Sequence, residues 1–145
     1  MRFWDASAVV PLLVSEPHSR RLDELFARGS LVVWWGTAVE VASALARRER
    51  SGELAPAESA ESFALLDFLM GAWREVPPLR AVRQAAQRLV KVHPLRASDS
   101  LQLAAALAAA GGEPSSVEFV CLDERLRQAA AREGLRLLPE SIEEP

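Results

Sequence analysis

The chain has one cysteine, Cys121, and one lysine, Lys91, among 145 residues. A lone cysteine excludes an intrachain disulfide and a cysteine-rich zinc site. The cell interior, a cytoplasmic setting, is therefore the expected location. A single lysine removes most lysine-based phosphoryl chemistry. Histidine is scarce too, with only His18 and His93. No apolar run approaches a membrane span: Leu103 to Ala110 is too short, and Gly111-Gly112 ends it. The opening Met-Arg-Phe-Trp-Asp carries charge at once, so no secretory leader is expected. There are no repeats and no calcium loop of the helix–loop–helix type.

What remains is an ordinary globular composition, 50% hydrophobic and 26% charged, with a formal net charge of −3. The length suits one domain with its own core. We assign residues 1–138 to it and read 139–145 as a loose acidic tail. The cationic side is nearly all arginine, which suits bidentate phosphate contacts. GC-rich codon usage explains that bias more simply, and the acidic total argues weakly against a large nucleic-acid surface.

Periodicity predicts strands at Met1–Trp4, Leu31–Trp35, Trp73–Val76, Val117–Leu122 and Leu135–Leu138. Helices are expected at Asp5–Val14, His18–Arg28, Thr37–Arg50, Pro56–Met70, Leu79–Val92, Ala97–Ala110 and Asp123–Arg132. Strands alternating with helices imply an α/β fold with a mainly parallel sheet covered on both faces.

Four acids stand at helix starts: Asp5, Glu40, Asp99 and Asp123. Each has a local explanation. Asp5 and Asp123 can be N-caps. Thr37-x-x-Glu40 fits a capping box. Asp99 in a first turn favours the helix dipole. Their joint placement says more. Asp5, Glu40 and Asp123 each follow a different strand, and ligand sites of parallel sheets lie at the carboxyl ends of strands. Asp99 follows a helix, so that rule leaves it unplaced. Two like charges about 4 Å apart repel by roughly 4 kcal/mol at an effective dielectric of 20. Clustered carboxylates need protons or a hard cation, Mg2+ or Mn2+ by preference. Such a site suits metal-assisted phosphodiester hydrolysis.

Four segments carry a family resemblance. They are Trp4-Asp-Ala-Ser-Ala-Val-Val-Pro-Leu-Leu, Thr37-Ala-Val-Glu-Val-Ala-Ser-Ala-Leu, His93-Pro-Leu-Arg-Ala-Ser-Asp-Ser-Leu-Gln-Leu-Ala-Ala and Phe119-Val-Cys-Leu-Asp-Glu-Arg-Leu. In this order, nearly end to end, they resemble PIN-domain ribonucleases, and the layout is similar to VapC-type toxins of toxin–antitoxin pairs. The resemblance implies a three-layer α/β/α sandwich and a metal-dependent endoribonuclease. It places catalytic and metal roles on Asp5, Glu40, Asp99 and Asp123, with Ser7 and Thr37 as polar supports. It also implies RNA as substrate, an antitoxin partner and a homodimer or higher homo-oligomer, with no membrane. Gln102 departs from the pattern, standing where many members carry histidine, and Trp34-Trp35 is bulkier than usual.

Arg96 is a candidate phosphate ligand or a partner for a site carboxylate. Arg47, Arg48 and Arg50 read first as a solvated helix end favourable to the helix dipole, with RNA contact as the lesser alternative. Trp34 and Trp35 must face opposite sides of a strand, one toward the core and one outward. The alternative function is a PIN-like RNA- or protein-binding module without catalysis. A receiver domain would want a lysine beside the acids. A haloacid-dehalogenase-like phosphatase would want Asp-x-Asp where this chain has Asp5-Ala6-Ser7.

Overall fold

Strand β1 (Arg2–Trp4) is the axis of the molecule in this computed structural model, which describes residues 1–144. It pairs in parallel with β2 (Val32–Trp34) on one side and β4 (Glu118–Val120) on the other. Strand β3 (Arg74–Val76) extends the first side and β5 (Arg136–Leu138) the second, giving the order β3-β2-β1-β4-β5 with every pairing parallel. The helices between them are α1 (Ala6–Leu13), α2 (Ser19–Ala27), α3 (Thr37–Arg50), α4 (Pro56–Met70), α5 (Arg80–Val92), α6 (Ala97–Ala110) and α7 (Glu124–Arg132). Each expected element is present, most of them trimmed by a residue or two.

The pleat divides the core in two. Phe3, Val32, Trp34 and Phe119 point to the face covered by α5, α6 and α7. Trp4, Val33 and Val120 point to the face covered by α1 to α4. This alternation makes a three-layer α/β/α sandwich. Phe3 and Phe119 stack across β1 and β4 with ring centroids 5.8 Å apart. Ala104, Ala105 and Ala106 are fully buried, and their small side chains let α6 lie close to the sheet and to α5. Gly111, at φ +59°, ends that helix in the left-handed region that a glycine adopts without strain. Among the described residues no helix is long and apolar enough to cross a membrane.

Two expectations change. Residues from 139 onward are not loose at their start. Buried Arg127 donates to the carbonyls of Cys121 (2.8 Å) and Pro139 (2.7 Å), and reaches those of Leu138 and Glu140. Arg21 donates to the Ser141 carbonyl at 2.6 Å. Among the described residues this buried guanidinium has no carboxylate partner and is satisfied by backbone oxygens, so it stitches α7 to the end of β5. Arg127→Met removes those donors while keeping much of the apolar volume. It should lower unfolding free energy by about 3 kcal/mol, read by urea titration, with the hydrogen-exchange loss concentrated in β5.

The second change concerns α3. Its N-cap is Gly36, and Thr37 does not cap the helix. The Thr37 hydroxyl is fully buried and pairs instead with the Gln102 amide at 3.0 Å. A tertiary partner thus displaces the local capping box.

Candidate metal and nuclease site

The strand order reverses direction beside β1. From β1 the chain steps outward through β2 to β3, then returns to lay β4 on the other flank. A crevice opens at such a reversal, at the carboxyl ends of the strands. Asp5 follows β1 directly, and Asp123 lies three residues beyond β4. Glu40 enters from the first turn of α3 and Asp99 from the first turn of α6. These helices belong to opposite layers, so the acids approach the crevice from both sides of the sheet. All four line one cavity of about 190 Å3, together with Ser7 and Arg47. Asp99, which the strand rule leaves unplaced, is there because α6 starts at the same sheet edge.

Asp5 is 3% exposed and caps α1. Its Oδ2 accepts the Ser7 N–H (3.1 Å), the Ser7 hydroxyl and, more weakly, the Cys121 thiol (3.4 Å). Ser7 Oγ in turn accepts the Leu122 N–H at 3.0 Å, fixing α1 to the end of β4. Gln102 Nε2 donates to Glu40 Oε1 at 3.1 Å, and Asp123 Oδ1 accepts the Leu126 N–H at 3.0 Å. In these three acids one oxygen is held by the protein. Asp5 Oδ1, Glu40 Oε2 and Asp123 Oδ2 accept no hydrogen bond among the described residues.

The electrostatics follow from burial and crowding. Desolvation lifts the Asp5 carboxyl to about 6 against the bonds from Ser7 and Cys121, and Asp99 adds to the rise. Glu40 is lifted to about 7, first by desolvation and then by the charges of Asp5 and Asp99. Asp99 is raised by desolvation and by Asp123, while Arg96 and Arg125 pull it back. The acids therefore sense one another as a single cluster. No three His, Cys, Asp or Glu side chains among the described residues already close on a common point. The donor set nonetheless suits a hard divalent cation: carboxylate oxygens in one cavity, several without protein partners, destabilised as anions.

The sequence pattern of the PIN domain matches residues 2–132. The chain belongs to the PIN-domain family. It is 33% identical over 142 residues to Ribonuclease VapC45 of Mycobacterium tuberculosis (strain CDC 1551 / Oshkosh), covering 97% of this chain and 96% of that protein. It is similar to the same extent to Ribonuclease VapC49 of Mycobacterium tuberculosis (strain ATCC 25618 / H37Rv). The fold is shared with the crystal structure of FitAcB from Neisseria gonorrhoeae, at a TM-score of 0.59 and 14% identity, covering 94% of this chain and 96% of that one.

In this PIN domain Ser7 touches Asp5 directly, whereas Thr37 reaches Glu40 only through Gln102. Arg96 is exposed and does not line the cavity, but its charge and backbone lower the Asp99 carboxyl. His93 is away from the acids, buried against Glu133 at 2.7 Å. Sequence reasoning gave no site role to Gln102 or Cys121, and gave Arg47 RNA contact only as the lesser alternative. Gln102 stands one helical turn after Asp99, a spacing that puts both on one face. Cys121 packs under Asp5, and burial together with the Asp5 charge pushes its thiol well up, which favours the protonated form. Arg47 carries no signal separating it from its basic neighbours.

Proposed function

We propose that this PIN domain is a divalent-cation-dependent endoribonuclease and the toxin of a type II toxin–antitoxin pair. One observation carries the reading: carboxylates from four separate segments line one cavity at the reversal of the sheet. The two relatives that bear the name ribonuclease support RNA as the substrate. The resemblance to VapC-type toxins supports a cytoplasmic setting, an antitoxin partner and a homodimer.

Asp5, Glu40 and Asp99 would hold Mg2+ or Mn2+, with Asp123 assisting from its cap position. When bound, the cation supplies positive charge for a phosphodiester and acidifies water. The chain's own residues organise the anions. Ser7 orients Asp5 through Oδ2. Gln102 orients Glu40 through Oε1 and is itself anchored on Thr37. Asp123 keeps Oδ1 on its helix. Arg96, exposed and close enough to lower the Asp99 carboxyl, would meet phosphate from the solvent side.

Purified protein incubated with single-stranded RNA tests the reading. Cleavage should occur with millimolar Mg2+ or Mn2+, stop in excess EDTA and return when the metal is restored. Cleavage undiminished in EDTA, or none with either metal, would overturn it.

A further inference from the structure

A second cavity, of about 560 Å3, adjoins the acidic one and shares Ser7, Val10, Ala44 and Arg47 with it. It runs between α1 and the C-terminal half of α3, and its far wall includes Glu53. Its volume lies in the range of ligand pockets, roughly 300–1,000 Å3.

Adjacent arginines of α3 meet different fates here. Arg48 is ion-paired with Glu16 and only partly exposed. Arg47 is exposed, lines both cavities and makes no ion pair or side-chain hydrogen bond among the described residues. It is the one cationic side chain that lines the acidic cavity.

We propose that the larger cavity is a nucleotide subsite for the RNA strand, with Arg47 binding the phosphate that leads into it. The inference rests on the ribonuclease reading and adds the path of the substrate. A polyanion delivered to four carboxylates is repelled unless cationic groups meet the phosphates beside the scissile one. A free guanidinium at the junction is suited to that contact. Val10, Ala44 and Leu122 offer apolar surface to a sugar or base. The lining has no aromatic ring, so bases are not selected by stacking on this wall. Glu53 acts in the opposite sense, repelling the next phosphate.

Full-length Asp99→Asn protein, expected to bind without cutting, is titrated with a fluorescein-labelled single-stranded RNA in magnesium. Adding Arg47→Gln should weaken binding roughly tenfold and reduce the slope of log affinity against log salt by about 0.7. Arg47→Lys keeps the charge and should leave the salt slope at its parent's value, while loss of the guanidinium fork weakens binding less than Arg47→Gln does. Glu53→Gln should tighten binding about twofold. With Asp99 restored, Arg47→Gln should raise KM and leave kcat nearly unchanged, a division that a folding defect does not produce. Unaltered affinity and salt slope in Arg47→Gln, with wild-type cleavage intact, would overturn the subsite and spare the nuclease reading. A wild type that neither binds nor cuts RNA overturns both.

Discussion

Asp99→Asn should reduce RNA cleavage by on the order of a thousandfold or more while the fold survives. The substitution is nearly isosteric and removes one negative charge from the cavity shared with Asp5, Glu40 and Asp123. Asp99 is only partly buried and does not cap its helix, whose N-cap is Arg96. Loss of a first-turn charge costs the helix roughly 0.5 kcal/mol. Relief from the charge of Asp123, and from the raised states of Asp5 and Glu40, offsets it. Catalytic loss with an unchanged melting profile is therefore expected. The measurement is initial cleavage rate at saturating magnesium beside thermal unfolding of the same preparation. Activity within tenfold of wild type would remove Asp99 from the mechanism. Collapse of the fold would show that the charge is structural.

The second large effect is on stability. Asp5 titrates near 3.8 unfolded and about 6 folded, and Glu40 near 4.5 and about 7. Both native groups hold protons more tightly than the unfolded chain. Their stabilising contribution is thus complete below the unfolded values and is lost as pH rises through the folded ones. In metal-free buffer, stability should carry a downward component between pH 4 and 7. Glu133 runs the other way. Its carboxyl is lowered, first by the hydrogen bond from Arg88, so its contribution is present above its unfolded value and lost in acid.

Comparison of wild type with Asp5→Asn isolates the Asp5 component. Asparagine is as good an N-cap as aspartate, so the helix start survives. At pH 8 the variant should be more stable than the metal-free wild type by about 3 kcal/mol, because Asp5 is almost wholly buried. That difference should vanish near pH 4. Magnesium at a hundred times its Kd should return about 2.7 kcal/mol to wild type and little to the variant. Urea titrations from pH 4 to 8, with EDTA or with magnesium, read all of these numbers. A pH-independent difference would refute the buried-charge account. Equal stabilisation of both proteins by magnesium would remove Asp5 from the cation site.

The contrast between α3 and α6 explains what a linear reading captures. Alanine-rich α6 and the apolar runs of β1, β2 and β4 are local patterns, and the elements follow them closely. Thr37-x-x-Glu40 is an equally good local pattern, yet it fails as a cap because Gln102 lies 65 positions away in sequence and within bonding distance in space. Trp34 and Trp35 divide as alternation requires, one buried and one 55% exposed. Arg47 and Arg48 look alike in sequence and differ only because Glu16 meets one of them.

The sequence by itself determined the strand–helix alternation, the lack of an intrachain disulfide or a cysteine-rich zinc site, and the presence of four acids at helix starts. These depend on spacing and side-chain chemistry, which are local. Only the tertiary structure decided that Asp99 joins Asp5 from the opposite layer, that Cys121 and Gln102 lean on the acids, and that Arg47 stands free at the junction of two cavities. Those facts depend on strand order and on which helix covers which face. Many orders satisfy the same alternation, and long-range packing selects among them.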